Sequence, residues 1–416
     1  MVVDASLPAV QAAPPAEPPP LRRNLKFQVY WIGATAGGIG LGIAALAFPL
    51  LILAMTGSPG QAAAFGAVQA GTQLVLGMPA GALADRTNRR LLLIVSELMR
   101  CASAAAVVVG IHWHRLGLAE LFAVAVVLGG AQALGAPSRA LVLRAIVPPT
   151  QLTQALSQDE VRVSAAGLLG PLAAGTLYGL ARIAPFLSSL AGFLISLCSA
   201  SLVRFDGKPV PSGRGSSRGG ALIGLRFLWQ DRALRWITAT AATLNLAGAA
   251  VIMIVIVMLQ RQHYSSGATG FALAGEAAGG LLGAVFTTRL HRWMQPGRLL
   301  LTVCWLCVPL MAALVVPAGP VWIFVVMFGV AAGMPALMVM IDILVFRQVP
   351  DDVRGRVIAG TFTAFGIGAP LGSAVAGLLL DAFSPQVSIL IVCALISAPL
   401  CMVSKQRSLR DAVWPN

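Results

Sequence analysis

Between two long apolar runs lies a stretch dense in charge, Gly81-Ala-Leu-Ala-Asp85-Arg86-Thr-Asn88-Arg89-Arg90. One acid and three arginines cannot sit in hydrocarbon, so this loop belongs at a membrane face. The chemistry open to it is ionic. Asp85 can face an adjacent helix end or an arginine, and Arg86, Arg89 and Arg90 can pair with acids of neighbouring helices. Such a charge lattice can latch one conformation and release in another. Gly81 permits a close helix approach. The same residues can also be read as a topogenic basic loop, which any membrane protein can carry.

Other ionisable groups lie inside apolar runs, where they are costly and hence functional candidates. Glu276 is flanked only by small and apolar residues (FALAGEAAGG), which suits a proton carrier or, alternatively, an acid turned to water or to an arginine. Glu97 and Arg100 are three residues apart and expected to pair on one helix face, a structural role before a catalytic one. Asp342 lies a little over a turn before Arg347 and is a further proton or gating candidate. Asp159 and Glu160 are placed to receive the arginines of the 81–90 loop. A second charged cluster, Val349-Pro350-Asp351-Asp352-Val-Arg354-Gly355-Arg356-Val357, can pair internally or with the opposite loop. It also reads as a helix start, with proline at the turn and acids at the positive end of the dipole. Small residues recur around prolines in Gly167-x-x-Gly170-Pro171-x-x-x-Gly175 and Gly366-x-Gly368-Ala-Pro370-x-Gly372. Small residues let helices pack closely and proline bends them.

Several chemistries are disfavoured. His112 and His114 are two apart on a helix and point away from each other, so no metal site is expected. Cys304 and Cys307 form C-x-x-C on an apolar helix with no His or acid beside them, so buried small hydrophobes are expected. No phosphate-binding loop, nucleophile elbow, zinc-protease motif or dinucleotide fingerprint occurs. An enzyme is not expected, nor any cofactor.

These residues sit on a frame that composition dictates. The chain of 416 residues is 57% hydrophobic and 11% charged, with mean hydropathy +0.84, too little charge for a water-soluble domain of this size. Apolar runs near 27–55, 60–84, 90–112, 117–137, 155–181 and 184–203, then 234–260, 266–288, 298–317, 320–346, 355–381 and 386–404, predict an all-α membrane protein of twelve transmembrane helices. Residues 1–24, rich in Pro and Ala, read as a disordered cytosolic tail, 204–233 as a cytosolic linker with an amphipathic segment, and 405–416 as a second tail. The termini, the even-numbered connections and the span ends that meet them carry 25 of the 29 Lys+Arg, which puts both termini in the cytosol of a plasma (inner) membrane protein. That bias, rather than nucleic acid, accounts for the net charge of +14. A shift of 202 residues lays Gly81 on Gly283, Arg90 on Arg292 and Val147-Pro148 on Val349-Pro350, so the halves 25–203 and 234–404 read as six-helix pseudo-repeats.

The pattern Gly-x-Leu-x-Asp-Arg-x-x-Arg-Arg after the second run resembles the signature loop of the major facilitator superfamily. The Val-Pro-x-x-x-Arg-Gly-Arg-Val loop is similar to that of the branch holding macrolide and multidrug efflux proteins and the enterobactin exporter. The resemblance covers about residues 25 to 404. It implies a latch role for Gly81, Asp85, Arg86 and Arg90, and an exporter-type contact between halves at Gly170-Pro171. It also implies a central cavity lined by spans one, four, seven and ten. Asn88 stands where the family usually has Gly, and Asn tolerates a left-handed turn. Span one carries no acid, and span four, read over Leu121 to Leu134, carries no arginine. The expected function is secondary export of a drug-like compound or secondary metabolite, a siderophore included, by proton antiport. The expected partners are a small amphipathic or hydrophobic solute, protons and the lipid bilayer, with no nucleic acid, and the chain is expected as a monomer. Uptake of a small nutrient by proton symport, and a non-transporting membrane scaffold or sensor, stay open.

Overall fold

The computed structural model describes residues 20–203, 229–230, 232–348, 360–361 and 363–405. The second charged loop, with Pro350, Asp351, Asp352, Arg354, Gly355 and Arg356, lies outside the described residues, as does most of the linker. So do the side chains of Asp85, Arg86 and Asp342.

The N-terminal half consists of α1 (Leu25–Thr56), α2 (Pro59–Arg86), α3 (Arg89–His112), α4 (Leu118–Ile146), α5 (Leu152–Leu180) and α6 (Ala184–Leu202). The C-terminal half consists of α7 (Arg232–Arg261), α8 (Ser266–Trp293), α9 (Pro296–Ala313), α10a (Pro320–Ala332), α10b (Met334–Gln348), α11 (Gly368–Ala382) and α12 (Pro385–Ser404). The described residues contain no strand. With α10a and α10b taken as one, these make twelve helical spans. Eleven are long and apolar enough to cross a membrane by length and composition. The remaining one, α2, is diluted by Gln61, Gln69 and Gln73.

Local chemistry sets the ends. Asn24 caps α1 by accepting from the Phe27 N–H at 3.2 Å, and its own amide donates to the Ile146 carbonyl at 3.0 Å, tying the start of α1 to the end of α4. Leu21, in the turn before it, is buried. Ser58 and Ser265 cap α2 and α8 alike, each accepting a backbone N–H three residues on. Gly57 ends α1 in the left-handed region (φ 66°), where glycine bears no steric penalty. The tenth span breaks at Gly333, because Pro335 has no N–H and its ring crowds the carbonyl four residues back.

The pseudo-repeat is present, but its register drifts. Pro59 and Arg89 begin helices whose second-half counterparts begin 207 residues later, at Ser266 and Pro296. Leu118 and Pro320 are 202 apart, and Ala184 and Pro385, which begin the last pair, are 201 apart. The shift of 202 therefore holds at the fourth pair and not at the second, third or sixth. Element by element, the partner of Arg89 is Pro296, while Arg292 lies at the end of α8.

Helices run alternately between two ends of the molecule. The end holding Leu21 and Lys405 is called here the terminal end, the other the distal end. In the distal half, apolar side chains from all twelve spans form one continuous core, from Phe48, Phe65 and Phe186 to Ile254, Ile323 and Ile389. Among the described residues, the core of the terminal half is split. Phe27, Tyr30, Leu93 and Leu143 pack within the N-terminal half, and Ile237, Leu299, Met340 and Leu400 within the C-terminal half.

Two crossings join the halves. In α5 and α8, a side chain on Gly175 would collide with the Ser266 carbonyl, and one on Gly270 with the Pro171 carbonyl. In α2 and α11, the Gly60 N–H donates to Asp381 Oδ1 at 3.0 Å. Farther in, Ser373 Cβ lies 3.8 Å from where a Cβ on Gly66 would be. That spacing suits a disulfide. In a background free of native cysteines, Gly66→Cys/Ser373→Cys should therefore oxidise readily. Adding Gly175→Leu should wedge the distal end and slow cross-linking by about tenfold or more, since a shift of ~1.4 kcal/mol is a factor of ten. Cross-linking at an unchanged rate would show that the α5–α8 contact does not hold this end closed.

Candidate functional site

Three features of this frame carry polar chemistry: the 81–90 loop, a buried charge cluster in the N-terminal half and a cavity in the C-terminal half.

The loop joins α2 to α3 at the terminal end. Asn88 adopts an extended backbone (φ −60°, ψ 112°), not the left-handed turn expected of it, and caps α3 by accepting from the Arg90 N–H at 3.0 Å. Its side chain thus does what glycine cannot. The Arg90 guanidinium donates to the Ser201 carbonyl at the end of α6, within its own half. Among the described residues, nothing lies within 4 Å of a Cβ built on Gly81. Asp159 pairs with Arg162 on its own helix at 2.8 Å, and Arg162 in turn donates to the Ala34 carbonyl of α1 at 2.9 Å. Arg162 is thus a buried strut between α5 and α1.

The buried cluster centres on Glu97. Arg100 is its neighbour on α3, with Nη1 3.2 Å from Glu97 Oε1, and both side chains are 1% exposed. A second arginine, Arg139 of α4, puts Nη2 3.5 Å from the same oxygen. Gly135 makes room for it, because a Cβ there would fall 2.6 Å from that Nη2. Span four therefore does carry an arginine, which corrects the sequence expectation. Pro137 suggested the end of the span, but α4 continues to Ile146. A proline removes one backbone hydrogen bond and bends a helix, and flanking packing carries it past the bend. One acid against two arginines leaves this cluster with an excess positive charge.

The cavity, of about 420 Å³, lies within the C-terminal half. Its wall comes from α7, α8, α9, α10a, α10b and α11 together with Phe365, and no residue of the N-terminal half lines it. The wall is apolar, with Met311, Met327, Met334 and Met338 prominent. Its polar groups are few. Asn245 is anchored, donating to the Phe365 carbonyl at 2.8 Å, and Glu276 is the one ionisable carboxyl among the lining residues. Glu276 is exposed to this space and forms no ion pair among the described residues.

The glycine–proline motifs sit at helix crossings. A Cβ on Gly170 would fall 2.6 Å from the Gly42 Cα, so α5 and α1 touch backbone to backbone. Gly368 and Gly372 lie against Ala242 and Leu246 of α7 in the same way. Pro171 and Gly175 face α8 across the joint, Gly167 approaches Ala277, and Pro370 approaches Gly71 of α2. Sequence reasoning missed Arg139, Arg162 and Asn245. Arg139 and Arg162 carried a signal, an arginine within a few turns of an apolar run, whereas Asn245 had none beyond its polarity.

Residues 30–372 match the model of the Major Facilitator Superfamily. The multidrug efflux pump Tap of Mycolicibacterium fortuitum is 27% identical over 372 residues, covering 84% of this chain and 88% of that protein. The enterobactin exporter EntS of Escherichia coli O1:K1 / APEC is 24% identical over 387 residues, covering 88% of each. Among solved structures, the nucleoside transporter NupG superposes with a TM-score of 0.73 at 11% identity, covering 91% of this chain and 99% of that one. At that identity the likeness is one of fold.

The charge cluster makes a stability prediction. Glu97→Leu strands buried Arg100 and half-buried Arg139, whereas Arg100→Leu leaves Glu97 with Arg139. Uncompensated buried charge costs about 3–5 kcal/mol. Melting of the purified protein in detergent should rank Glu97→Leu well below Arg100→Leu, with the double variant above Glu97→Leu. Equal melting of all three would show that the cluster is not electrostatically coupled.

Proposed function

We propose that this chain, which belongs to the Major Facilitator Superfamily, exports a drug-like molecule or secondary metabolite, a siderophore included, in exchange for protons by alternating access. The observation that carries the export reading is its similarity, over more than four-fifths of its length, to a multidrug efflux pump and an enterobactin exporter.

The structure supports alternating access. The apolar core is continuous at the distal end and split at the terminal end. The basic bias of the sequence assigns the terminal end to the cytosol of the plasma membrane, with both termini there. The conformation described is then open to the cytosol, and a solute enters from that side. In this state Arg90 is held by its own half. In the opposite state the loop arginines exchange such contacts for partners across the closing cleft, with Asp85, Arg86 and the 350–356 loop taking part. Two packings separated by a rigid-body rocking of the halves are a bistable switch.

The cavity supports the solute class. An apolar wall with few polar groups suits amphipathic and hydrophobic molecules. Glu276 is the proton carrier best supported by geometry, being an unpaired carboxyl facing that space. Glu97 lies between two arginines and serves as their counter-ion. Asp342 remains a further candidate.

Inside-out vesicles with an acidified interior and a pH-sensitive dye test the reading. A macrolide, a dye or a siderophore that is a substrate should dissipate the proton gradient with the wild-type chain. Asp85→Asn should slow this by blocking the conformational cycle, and Glu276→Gln should abolish proton release while the protein still folds. Undiminished exchange in Glu276→Gln would remove the carrier role from that residue. Silence across a panel that a known exporter handles would remove the export reading.

A further inference from the structure

We infer that Asn245 is a positioning residue for the transport cycle: its amide ties span eleven to α7 across a proline break, so that the two parts of that span move as one lever. The inference rests on the transport reading, because the tie matters to function only where the halves rock.

The break lies in Gly366-Ile-Gly368-Ala-Pro370. Proline has no N–H to give the carbonyl four residues back, here that of Gly366, and its ring crowds the same turn. Helical residues 363–366 stop at Ile367, and α11 starts again at Gly368. Gly366 and Gly368 bring no side chain to pack against a neighbour, and glycine leaves the backbone its widest choice of angles. Left to itself, such a segment is a hinge. Carbonyls opened at a bend inside a membrane span need a partner from a neighbouring helix. Asn245 of α7 supplies one, its Nδ2 donating to the Phe365 carbonyl at 2.8 Å.

Position gives the tie its consequence. Past the break, Cβ atoms on Gly368 and Gly372 would fall 2.4 and 2.0 Å from the Ala242 and Leu246 carbonyls. The distal part of span eleven therefore lies backbone to backbone on α7, and Asn245 extends that hold to the turn before the break. The break also faces the other half: a Cβ on Gly366 would lie 3.2 Å from Leu74 Cδ1 of α2. Force passed between the halves at this point acts on the hinge. With the tie made, the C-terminal half answers as one body. Without it, span eleven bends at Gly366 to Gly368, and Phe365 and Ala369 no longer travel with the rest of the cavity wall. The N-terminal half has a corresponding tie in other chemistry. There α5 runs unbroken through Pro171, and its Arg162 donates to the Ala34 carbonyl of α1 at 2.9 Å. Each half thus joins its fifth span to its first by a side-chain hydrogen bond to a backbone carbonyl, on the terminal side of the glycine–proline motif.

Hydrogen exchange of the full chain in lipid nanodiscs reads the hinge directly. In Asn245→Leu, close in volume but without a donor, the amides of residues 364–368 should exchange about two- to tenfold faster, the loss of one hydrogen bond. Those of residues 373–380 should stay unchanged. Pro370→Ala restores the missing N–H, so Asn245→Leu should do little in that background, a non-additive result. Coupling should follow the same pattern. In vesicles carrying Asn245→Leu, movement at one end no longer sets the other, and an imposed proton gradient should decay faster without any solute. The double variant should hold the gradient as the wild-type chain does. Where Asn245→Leu does not fold, Asn245→Ala takes its place in both measurements. Unchanged exchange at residues 364–368, or an equal effect in the two backgrounds, would overturn the inference. Faster exchange with an unchanged gradient would make the tie structural only and overturn it as well. A wild-type chain that never couples a solute to protons would remove the export reading, and the exchange pattern would still decide the tie.

Discussion

Backbone-to-backbone contact at the distal end is the constraint on which the rest of this structure depends. In a bilayer, lipid tails are as apolar as leucine, so helices gain little from hiding apolar side chains from one another. What holds them is close van der Waals packing, and that requires small residues where helices cross. Gly175 and Gly270 allow α5 and α8 to meet, while Gly60 and Gly377 do so for α2 and α11. The Asp381 carboxylate adds a hydrogen bond from one half to the first turn of a helix in the other. Beyond mid-depth, Gly77 and Gly81 of α2 have no described residue within reach of a Cβ. Contacts of this kind at one end leave the halves free to part at the other.

The halves differ in what they bury. The N-terminal half spends its interior on charge. Glu97, Arg100 and Arg139 form one cluster, and Arg162 with Asp159 forms another. Buried ion pairs contribute little net stability, but losing one partner is severe. Such clusters therefore fix helix positions more than they strengthen them. The C-terminal half keeps its described interior almost free of charge and leaves space instead. That space exists in part because the tenth span is interrupted at Gly333 and Pro335, so α10a and α10b enclose it with α7, α8, α9 and α11.

Much of this was legible in the sequence. Apolar runs of bilayer length are a strong signal: the spans occur in the expected order and places, except that the fourth runs on to Ile146 and the first part of the eleventh lies outside the described residues. The Glu97–Arg100 pair follows from helical spacing alone. What was not legible depends on which helices become neighbours. Arg139 was passed over because Pro137 reads as an end, and only packing around α4 carries the helix onward. Asn88 has the side chain of a helix cap, but the family pattern drew attention to its backbone instead. The 202-residue register matched isolated glycines and arginines, yet helix starts show 207 at the beginning and 201 at the end. Sparse identities cannot reveal drift of that kind. The one-sided cavity could not be read at all, since its wall is assembled from six helices.

One-sidedness has a mechanistic consequence on the proposed reading. A ligand shifts a conformational equilibrium only through different affinity for the two states. Contacts made to the C-terminal half alone are the same in both states until the N-terminal half closes over them. The element that changes between states is then the environment of Glu276. While the terminal end is open, water can solvate its carboxylate. When that end closes, the solvation is lost and the bare charge resists closure. A proton removes the charge, and a bound solute that hydrogen-bonds to it offsets the lost water. Either allows the halves to close, and neither is required of the apolar wall. The empty, charged carrier is the form that does not cycle. Exchange without leak can thus follow from one carboxyl group placed where closure would strip its water, with the Met-rich wall setting only how tightly the solute is held.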